Sequence, residues 1–430
     1  MLSAFMQAFR TPDLRAKLLF TLGIMALFRL GSIVPTPGVD VAAAEFCVGQ
    51  AEDQGLFGLI NIFSGGALLQ LSVFALGIMP YITASIIIQL LRVVIPKFEE
   101  LHKEGQSGTA KLTEYTRYLT IGLALLQSST FVATAASGQL FPGCPQPVIA
   151  EATPVTLALM VVTMTAGTGL IMWLGELVTE RGIGNGMSLL IFTSIVAQFP
   201  SNMLSIVRGS GGAGKFLAVI AIVLVATAAV IFVEQAQRRI PVQYAKRMVG
   251  RRQYGGSTTY IPVKINTAGV IPVIFASSLL AMPMLVAQFG NQSSGWVNWI
   301  MTNLQQTHPV YLTAYGVLIL FFAFFYTAIT FNPEEIADNM KRYGGFIPGI
   351  RAGEPTVRYL TYVINRVTTA GSIYLVVLAL APTAAVIAMG LTQALPFGGT
   401  TILIMVGVGL QTVKEINSQL QQRHYEGFLS

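Results

Sequence analysis

Residues 55–96 read GLFGLINIFSGGALLQLSVFALGIMPYITASIIIQLLRVVIP. From Ser72 to Pro96 the run is long enough to cross a bilayer, which takes about 20 apolar residues. From Gly55 to Leu71 it is not, because Asn61 and the Ser64-Gly65-Gly66 turn interrupt any helix within roughly two turns. A half-length apolar piece beside a full span reads as a re-entrant element. Irregular backbone at membrane depth is stable only where protein buries it or where it lines a wet cavity, because lipid cannot satisfy its N–H and C=O groups. The stretch therefore points to a pore.

Composition agrees. Over 430 residues, 53% are hydrophobic and 10% charged, and mean hydropathy is +0.65. A soluble domain carries about 25% charged residues, so the chain reads as a polytopic membrane protein. Apolar runs with charged or turn-rich breaks place spans near residues 16–34, 72–95, 116–136, 153–174, 186–200, 215–233, 267–289, 311–331, 359–384 and 397–413. With the amino terminus cytoplasmic, the inside segments hold nearly all the cations and the outside loops only Arg208 and Lys215. That imbalance sets both termini inside and requires an even number of spans. The apolar run after Arg10, Arg15 and Lys17 lacks a nearby small-x-small cleavage site and reads as a retained first span. Arg29, Arg92 and Arg366 sit near span ends, where snorkelling to the interface is the ordinary reading.

Five spans precede and five follow the Gly-rich external linker at 208–215, giving an N-terminal half (1–207) and a C-terminal half (216–430). An odd number of spans per half inverts the second half relative to the first, with a central path between them. No Asp or Glu lies mid-span, and Ile265–Pro333 contains no Asp, Glu, Lys or Arg. Ion-coupled transport sites usually need such groups, so the path reads as apolar and chemically indifferent. The rival from the same architecture is a secondary solute transporter, which needs a polar midplane site; a membrane-embedded hydrolase is a weaker one. His102, His308 and His424 are scattered and form no metal-ligand or nucleophile motif. No catalytic residue, metal or cofactor is expected. ERGIGNGMSLL at 180–190 reads as a tight turn capping a helix rather than a phosphate loop. Cys47 and Cys144 fall in outward loops; two cysteines make no spacing pattern, and unpaired thiols are the expectation over a disulfide.

The cytoplasmic loops say more. Residues 235–264 hold seven cations, Arg238, Arg239, Arg251 and Arg252 among them, and no acid. Tyr254-Gly255-Gly256-Ser257 supplies a turn between two partly alternating stretches, which predicts a basic β-hairpin. Its charge density exceeds what orientation needs and suits an anionic partner, including anionic lipids. In the loop 332–357, Asn332 is placed to cap, Pro333 to open and Lys341 and Arg342 to close a short helix. Arg351 stands in a Gly/Pro-rich tip beyond it.

PTPGVD at 35–40, INIFSGGAL at 60–68, FALGIMPYITASIIIQLL at 74–91, EYTRY at 114–118, WLGELVTERGIGNGMS at 173–188, QRRIPVQYAKR at 237–247, NTAGVIPVIFASS at 266–278, FNPEEIADNMK at 331–341, IPGIR at 347–351 and FGGT at 397–400 are collinear over the whole chain. They resemble the SecY family, the central subunit of the bacterial protein-conducting channel. The resemblance implies ten helices in two inverted halves around an hourglass pore. It assigns a plug to roughly Phe57–Leu71, including Asn61, Phe63, Ser64, Gly65 and Gly66. An aliphatic constriction falls on Ile78, Ile82, Ile191, Ile274 and Ile404, with Met187 where the family commonly has a branched aliphatic. A lateral gate is implied between 78–92 and 272–285, with Thr83, Gln89 and Asn266 as polar groups and Pro80 and Pro272 as hinges. Arg238, Arg239, Arg251, Arg252 and Arg351 would dock a SecA motor or a ribosome. SecE and SecG would be the membrane partners, secretory and membrane proteins the substrates, and the bacterial plasma membrane the location.

Overall fold

The computed structural model describes residues 9, 11–50, 64–138, 140, 144, 147–150, 152–208, 212–244, 247–249, 252–254, 258–289, 294–305, 308–390 and 398–426. Fourteen helices and five strands lie among them. In chain order they are α1 (Pro12–Gly31), α2 (Val41–Gln50), α3 (Met79–Val94), α4 (Pro96–Lys103), α5 (Gln106–Ala136), α6 (Pro154–Arg181), α7 (Gly186–Arg208), α8 (Gly212–Gln235), β1 (Gln237–Tyr244), β2 (Arg247–Val249), β3 (Arg252–Tyr254), β4 (Thr258–Lys264), α9 (Ile271–Phe289), α10 (Gly295–Asn303), α11 (Pro309–Thr330), α12 (Pro333–Arg342), β5 (Gly345–Phe346), α13 (Glu354–Ala388) and α14 (Gly399–Glu426).

Helices α1, α3, α5 to α9, α11, α13 and α14 stand at the ten expected spans. By length and composition alone, six helices are apolar enough to cross a membrane, or seven if α3 and α4, bent by 99°, count as one broken span. The others fall short for local reasons. Asp13, Arg15, Lys17 and Arg29 crowd the ends of α1, α14 has a polar second half, and the apolar part of α9 runs only from Ile271 to Met284.

The span expected over 72–95 becomes helical only at Met79. Residues 73–78 form turns, with left-handed backbone shortly before them at Leu71 (φ 46°) and within them at Gly77 (φ 55°). Such φ values break helix geometry. Alone, α3 is about 24 Å long, short of the roughly 30 Å apolar thickness of a bilayer. Much of the connector from Ser64 to Ile78 is buried in protein, as irregular backbone at that depth requires. The expected local weakening of the helices by Pro80 and Pro272 is not seen. Pro80 and Pro272 occupy the second position of α3 and α9, where a missing N–H costs the helix nothing. The prolines inside helices are Pro200, Pro283 and Pro382. The flexible linker expected at 208–215 is shorter, because Arg208 ends α7 and Gly212 already opens α8. The long apolar run of α8 propagates its helix back through the glycines.

The two halves meet along two seams. On one, α9 packs against α3 and α5; on the other, α7 packs against α8 and α14. Within the first half, α5 is fixed to α6 by a two-pronged ion pair: Arg117 Nε donates to Glu176 Oε1 at 2.9 Å and Nη2 lies 2.8 Å from Oε2.

The basic hairpin is present. β1 pairs antiparallel with β4, Gln237 opposite Lys264 and Gln243 opposite Thr258. Between them β2 and β3 form a smaller hairpin in which Tyr254 pairs with Arg247. Tyr254, expected in the turn, is thus a strand residue, and Gly255–Ser257 lie outside the described residues. β5, from the loop between α12 and α13, joins the other edge of β1 through Gln243–Phe346 and Tyr244–Gly345. Beneath this sheet Ile240, Val242, Val263, Met340, Ile347 and Leu360 form a separate apolar core that welds the two loops to α12 and α13.

The cysteines are paired, against expectation. Cys47 of α2 and Cys144 form a disulfide across 97 residues, with Cα atoms 5.5 Å apart. Backbone contacts run beside it: Asp40 N donates to Val148 O at 2.9 Å, and Val39 bridges Ile149. This proximity is set by folding α2 against residues 144–150, which no local spacing reports.

Candidate functional site

The apolar residues singled out from the sequence come from four helices. Ile78 is the N-cap residue of α3 and Ile82 lies one turn on; Met187 and Ile191 are likewise one turn apart on α7; Ile274 is on α9 and Ile404 on α14. Spacing of four residues puts each pair on one helix face. All six belong to one buried apolar cluster, the most exposed being Met187 at 9%. The thioether of Met187 lies against Gly175 of α6, so close that a Cβ there would collide with Sδ. The glycine makes room for the longer, unbranched side chain.

The connector leading into Ile78 is held on two sides. Ser64 is buried and its Oγ accepts from Leu68 N at 3.1 Å. Gly65 and Gly66 follow with φ 72° and 89°, a turn that β-carbons would strain. Further along, Thr36 donates to Leu71 O through N (3.0 Å) and Oγ1 (2.7 Å), and Val73 N donates to Val34 O at 2.9 Å. Phe74 stacks on Phe28 with ring centres 5.9 Å apart. Asn61 and Phe63 lie outside the described residues.

At the seam of α3 and α9, Thr83 is buried and a small cleft opens, lined by Leu76, Met79, Thr83, Gln127, Phe131 and Ser278. Gln89 and Asn266, the other polar groups expected there, are not brought together. Gln89 Nε2 donates to Ser85 Oγ on its own helix at 3.3 Å. Asn266, 4% exposed, donates through Nδ2 to Glu234 Oε1 of α8 at 2.6 Å and to Gly269 O at 3.1 Å. Pro272 stands at the start of α9 beside this junction.

The family comparison is decisive. A family model described as SecY matches residues 72–413. The chain belongs to the SecY family. Curated relatives named Protein translocase subunit SecY include one from Streptomyces scabiei, 64% identical over 436 residues, and one from Mycobacterium tuberculosis H37Rv, 57% identical over 441 residues; both alignments cover 100% of each chain. A solved structure of a protein-conducting channel matches with a TM-score of 0.63 at 19% identity, covering 94% of this chain and 91% of that one. Sec61 in a canine ribosome–channel complex matches with a TM-score of 0.62 at 18% identity over the same shares. The structural likeness establishes the SecY fold, a multi-pass membrane architecture of ten helices in two halves.

In this SecY chain Arg238 and Arg239 are exposed on β1, and Arg351 is exposed in the loop before α13. The carbonyl of Arg351 accepts from Thr356 Oγ1 at 2.9 Å, so the loop is tied to the first turn of α13 while the guanidinium stays free to reach outward. Arg252 lies in β3, and Arg251 is outside the described residues. On α4, burial and then the charge of Arg92, whose Nη1 is 3.4 Å from Nδ1, hold the His102 pKa below its usual value, which favours the neutral ring.

Sequence reasoning missed three features of the site. Arg29 does not snorkel; its Nη1 donates to Gly65 O at 2.6 Å. Glu234 anchors Asn266, and β5 joins the two basic loops in one sheet. Arg29 and Glu234 did carry a signal, an ionisable group at the end of an otherwise apolar run. β5, two residues long, carried none.

Proposed function

We propose that this chain is the polypeptide-conducting channel of a bacterial plasma-membrane translocase, passing unfolded secretory proteins outward and releasing hydrophobic segments sideways into lipid. The observation that carries the mechanism is the single buried cluster joining Ile78, Ile82, Met187, Ile191, Ile274 and Ile404 from both halves. Aliphatic side chains offer no fixed hydrogen bonds to select one polypeptide, yet they close a dewetted constriction against ions. With both termini cytoplasmic, as the cation distribution supports, the basic sheet faces the cytosol and the connector from Ser64 to Leu71 belongs to the plug on the opposite side.

The seam between α3 and α9 serves as the lateral gate. A leucine entering lipid gains roughly 0.3–0.6 kcal/mol, whereas one central Asp, Lys or Arg costs about 2.5–3.5 kcal/mol. Opening the seam lets that difference sort membrane segments from secreted ones. The opposite seam, where α7 meets α8 across the short linker, is the natural hinge between halves 1–207 and 216–430. Catalysis is assigned to no residue. A SecA motor or a translating ribosome supplies the drive, docking on Arg238, Arg239, Arg251, Arg252 and Arg351, with SecE and SecG as membrane partners. Anionic lipid headgroups suit the same basic surface.

The test is reconstitution. Vesicles containing this chain and its membrane partners should import a secretory precursor when the motor and ATP are added, and saturable exchange of a small solute without partners would overturn the reading. Replacing Ile78 and Ile82 together with glycine should raise resting ion conductance in planar bilayers. Unchanged conductance at matched abundance would mean that the seal lies elsewhere.

A further inference from the structure

Arg29 is in the last turn of α1, 36 residues from the carbonyl it binds. Its Nη1 donates to Gly65 O at 2.6 Å and also lies 3.4 Å from Ser32 Oγ, while that hydroxyl donates to Arg29 O at 2.7 Å. The guanidinium is therefore held from behind by the end of its own helix and aimed at the turn. Among the described residues it has no carboxylate partner within 4.0 Å.

The turn it grips is one that requires glycine. Gly65 and Gly66 have φ 72° and 89°, values that only glycine adopts without strain. α7 closes on them from the other side: a Cβ at Gly65 would sit 3.3 Å from Ser194 Cα, and one at Gly66 2.9 Å from Gln198 Nε2. Beyond the turn, Leu71, Val73 and Phe74 are tied to residues 28–36 by neutral backbone, hydroxyl and ring contacts. The charged contact thus falls on the glycine turn and the neutral ones on the stretch that enters Ile78.

We infer that Arg29 is a positioning residue for closure: its guanidinium locks the Gly65–Gly66 turn against α7 and so keeps the connector 64–78, with Ile78 at its end, in the sealed position. The inference rests on the seal proposed above. Shifting the connector requires the hydrogen bond to Gly65 O to break, so its strength biases the channel toward the closed state. A carbonyl binds a guanidinium more strongly than a neutral donor.

The experiment measures resting ion conductance of the channel complex in planar bilayers at matched abundance. Arg29→Ala should raise conductance about tenfold, the lower end of what losing a charge-assisted hydrogen bond does to a two-state equilibrium. Arg29→Lys, which keeps a cation and a donor, should stay within about threefold of the parent, since most of the charge-assisted contact survives. A purely structural role would lower yield or melting temperature without sorting the two variants by charge. If Arg29→Ala fails to insert, Ser32→Ala, which removes the support behind the guanidinium, is read instead and should raise conductance about twofold. Parent-like conductance in Arg29→Ala, or in Ser32→Ala when that is the variant read, overturns the latch, as does equal conductance in Arg29→Ala and Arg29→Lys. If the Ile78 and Ile82 glycine variant leaks while Arg29→Ala does not, the latch is wrong and the seal stands; if neither leaks, the seal itself falls.

Discussion

Replacing both Cys47 and Cys144 with alanine removes the cross-link between α2 and residues 144–150. Cys47 is 1% exposed and packs with Leu68, Leu71, Leu76 and Phe131, so its bridge fastens α2 beside the connector that leads into Ile78. The closed loop is 97 residues, and cross-linking a loop of about 100 residues restricts the unfolded chain by about 4.7 kcal/mol in the chain-entropy model. Counting only the apolar helices α3 and α5 as retained in detergent or lipid after tertiary unfolding leaves roughly fifty mobile residues in the loop. Loop length enters only as a logarithm, so the effect falls merely to about 4 kcal/mol. The backbone bonds between Asp40 and Val148 and between Val39 and Ile149 remain, and alanine adds no buried polar group. The assay is equilibrium unfolding in mixed micelles. The double variant should lose about 4 kcal/mol, and each single alanine variant about as much, because either one abolishes the same bond. In parallel, the parent thiols should resist maleimide until reduced. Labelling of both cysteines without reductant, or an unfolding free energy equal in parent and double variant, would refute the cross-link and the stabilisation drawn from it.

Three further outcomes are expected. Arg351→Glu should depress motor-driven translocation severalfold while the variant inserts normally, because reversing an exposed charge at a docking tip repels an anionic partner; unaltered transport at matched abundance removes Arg351 from the docking surface. Asn332→Ala should cost about 1 kcal/mol locally, since its Oδ1 accepts from Glu334 N at 3.1 Å and Glu335 N at 3.4 Å; hydrogen exchange at those two amides should quicken, and parent-like protection would show that the cap contributes nothing. Gly167→Ala should destabilise by about 1–3 kcal/mol, because a β-carbon there would run into the rigid carbonyl of Val73; an unchanged melting temperature would contradict the close approach of α6 to the connector.

Local signals in this chain were read correctly where the energy that decides them is local. The ten apolar runs gave helices near their expected positions because helix burial follows from the run itself. Asn332-Pro333 opened α12 and Lys341-Arg342 closed it, since capping is settled within one turn. Asn185 behaved likewise, its Oδ1 accepting from Met187 N at 3.0 Å and Ser188 N at 3.2 Å at the head of α7. Helix starts were less legible. Pro80 and Pro272 read as hinges because a proline in an apolar run resembles a kink; in the fold each sits at a helix start, and only the left-handed backbone at Leu71 and Gly77 put the start of α3 there.

By itself the sequence determined a polytopic membrane protein with a broken re-entrant piece, a charge-free path, basic loops and a collinear SecY pattern. These are properties of composition, period and order along the chain. Tertiary structure alone decided which distant groups meet: Cys47 with Cys144 across 97 residues, Arg29 with Gly65 across 36, Asn266 with Glu234 across 32, and β5 with the edge of β1. Such pairings depend on how helices pack. A polar group in an apolar run shows that a partner is needed, because leaving it unsatisfied is costly, but the partner's identity is chosen by whichever surface packing brings within reach.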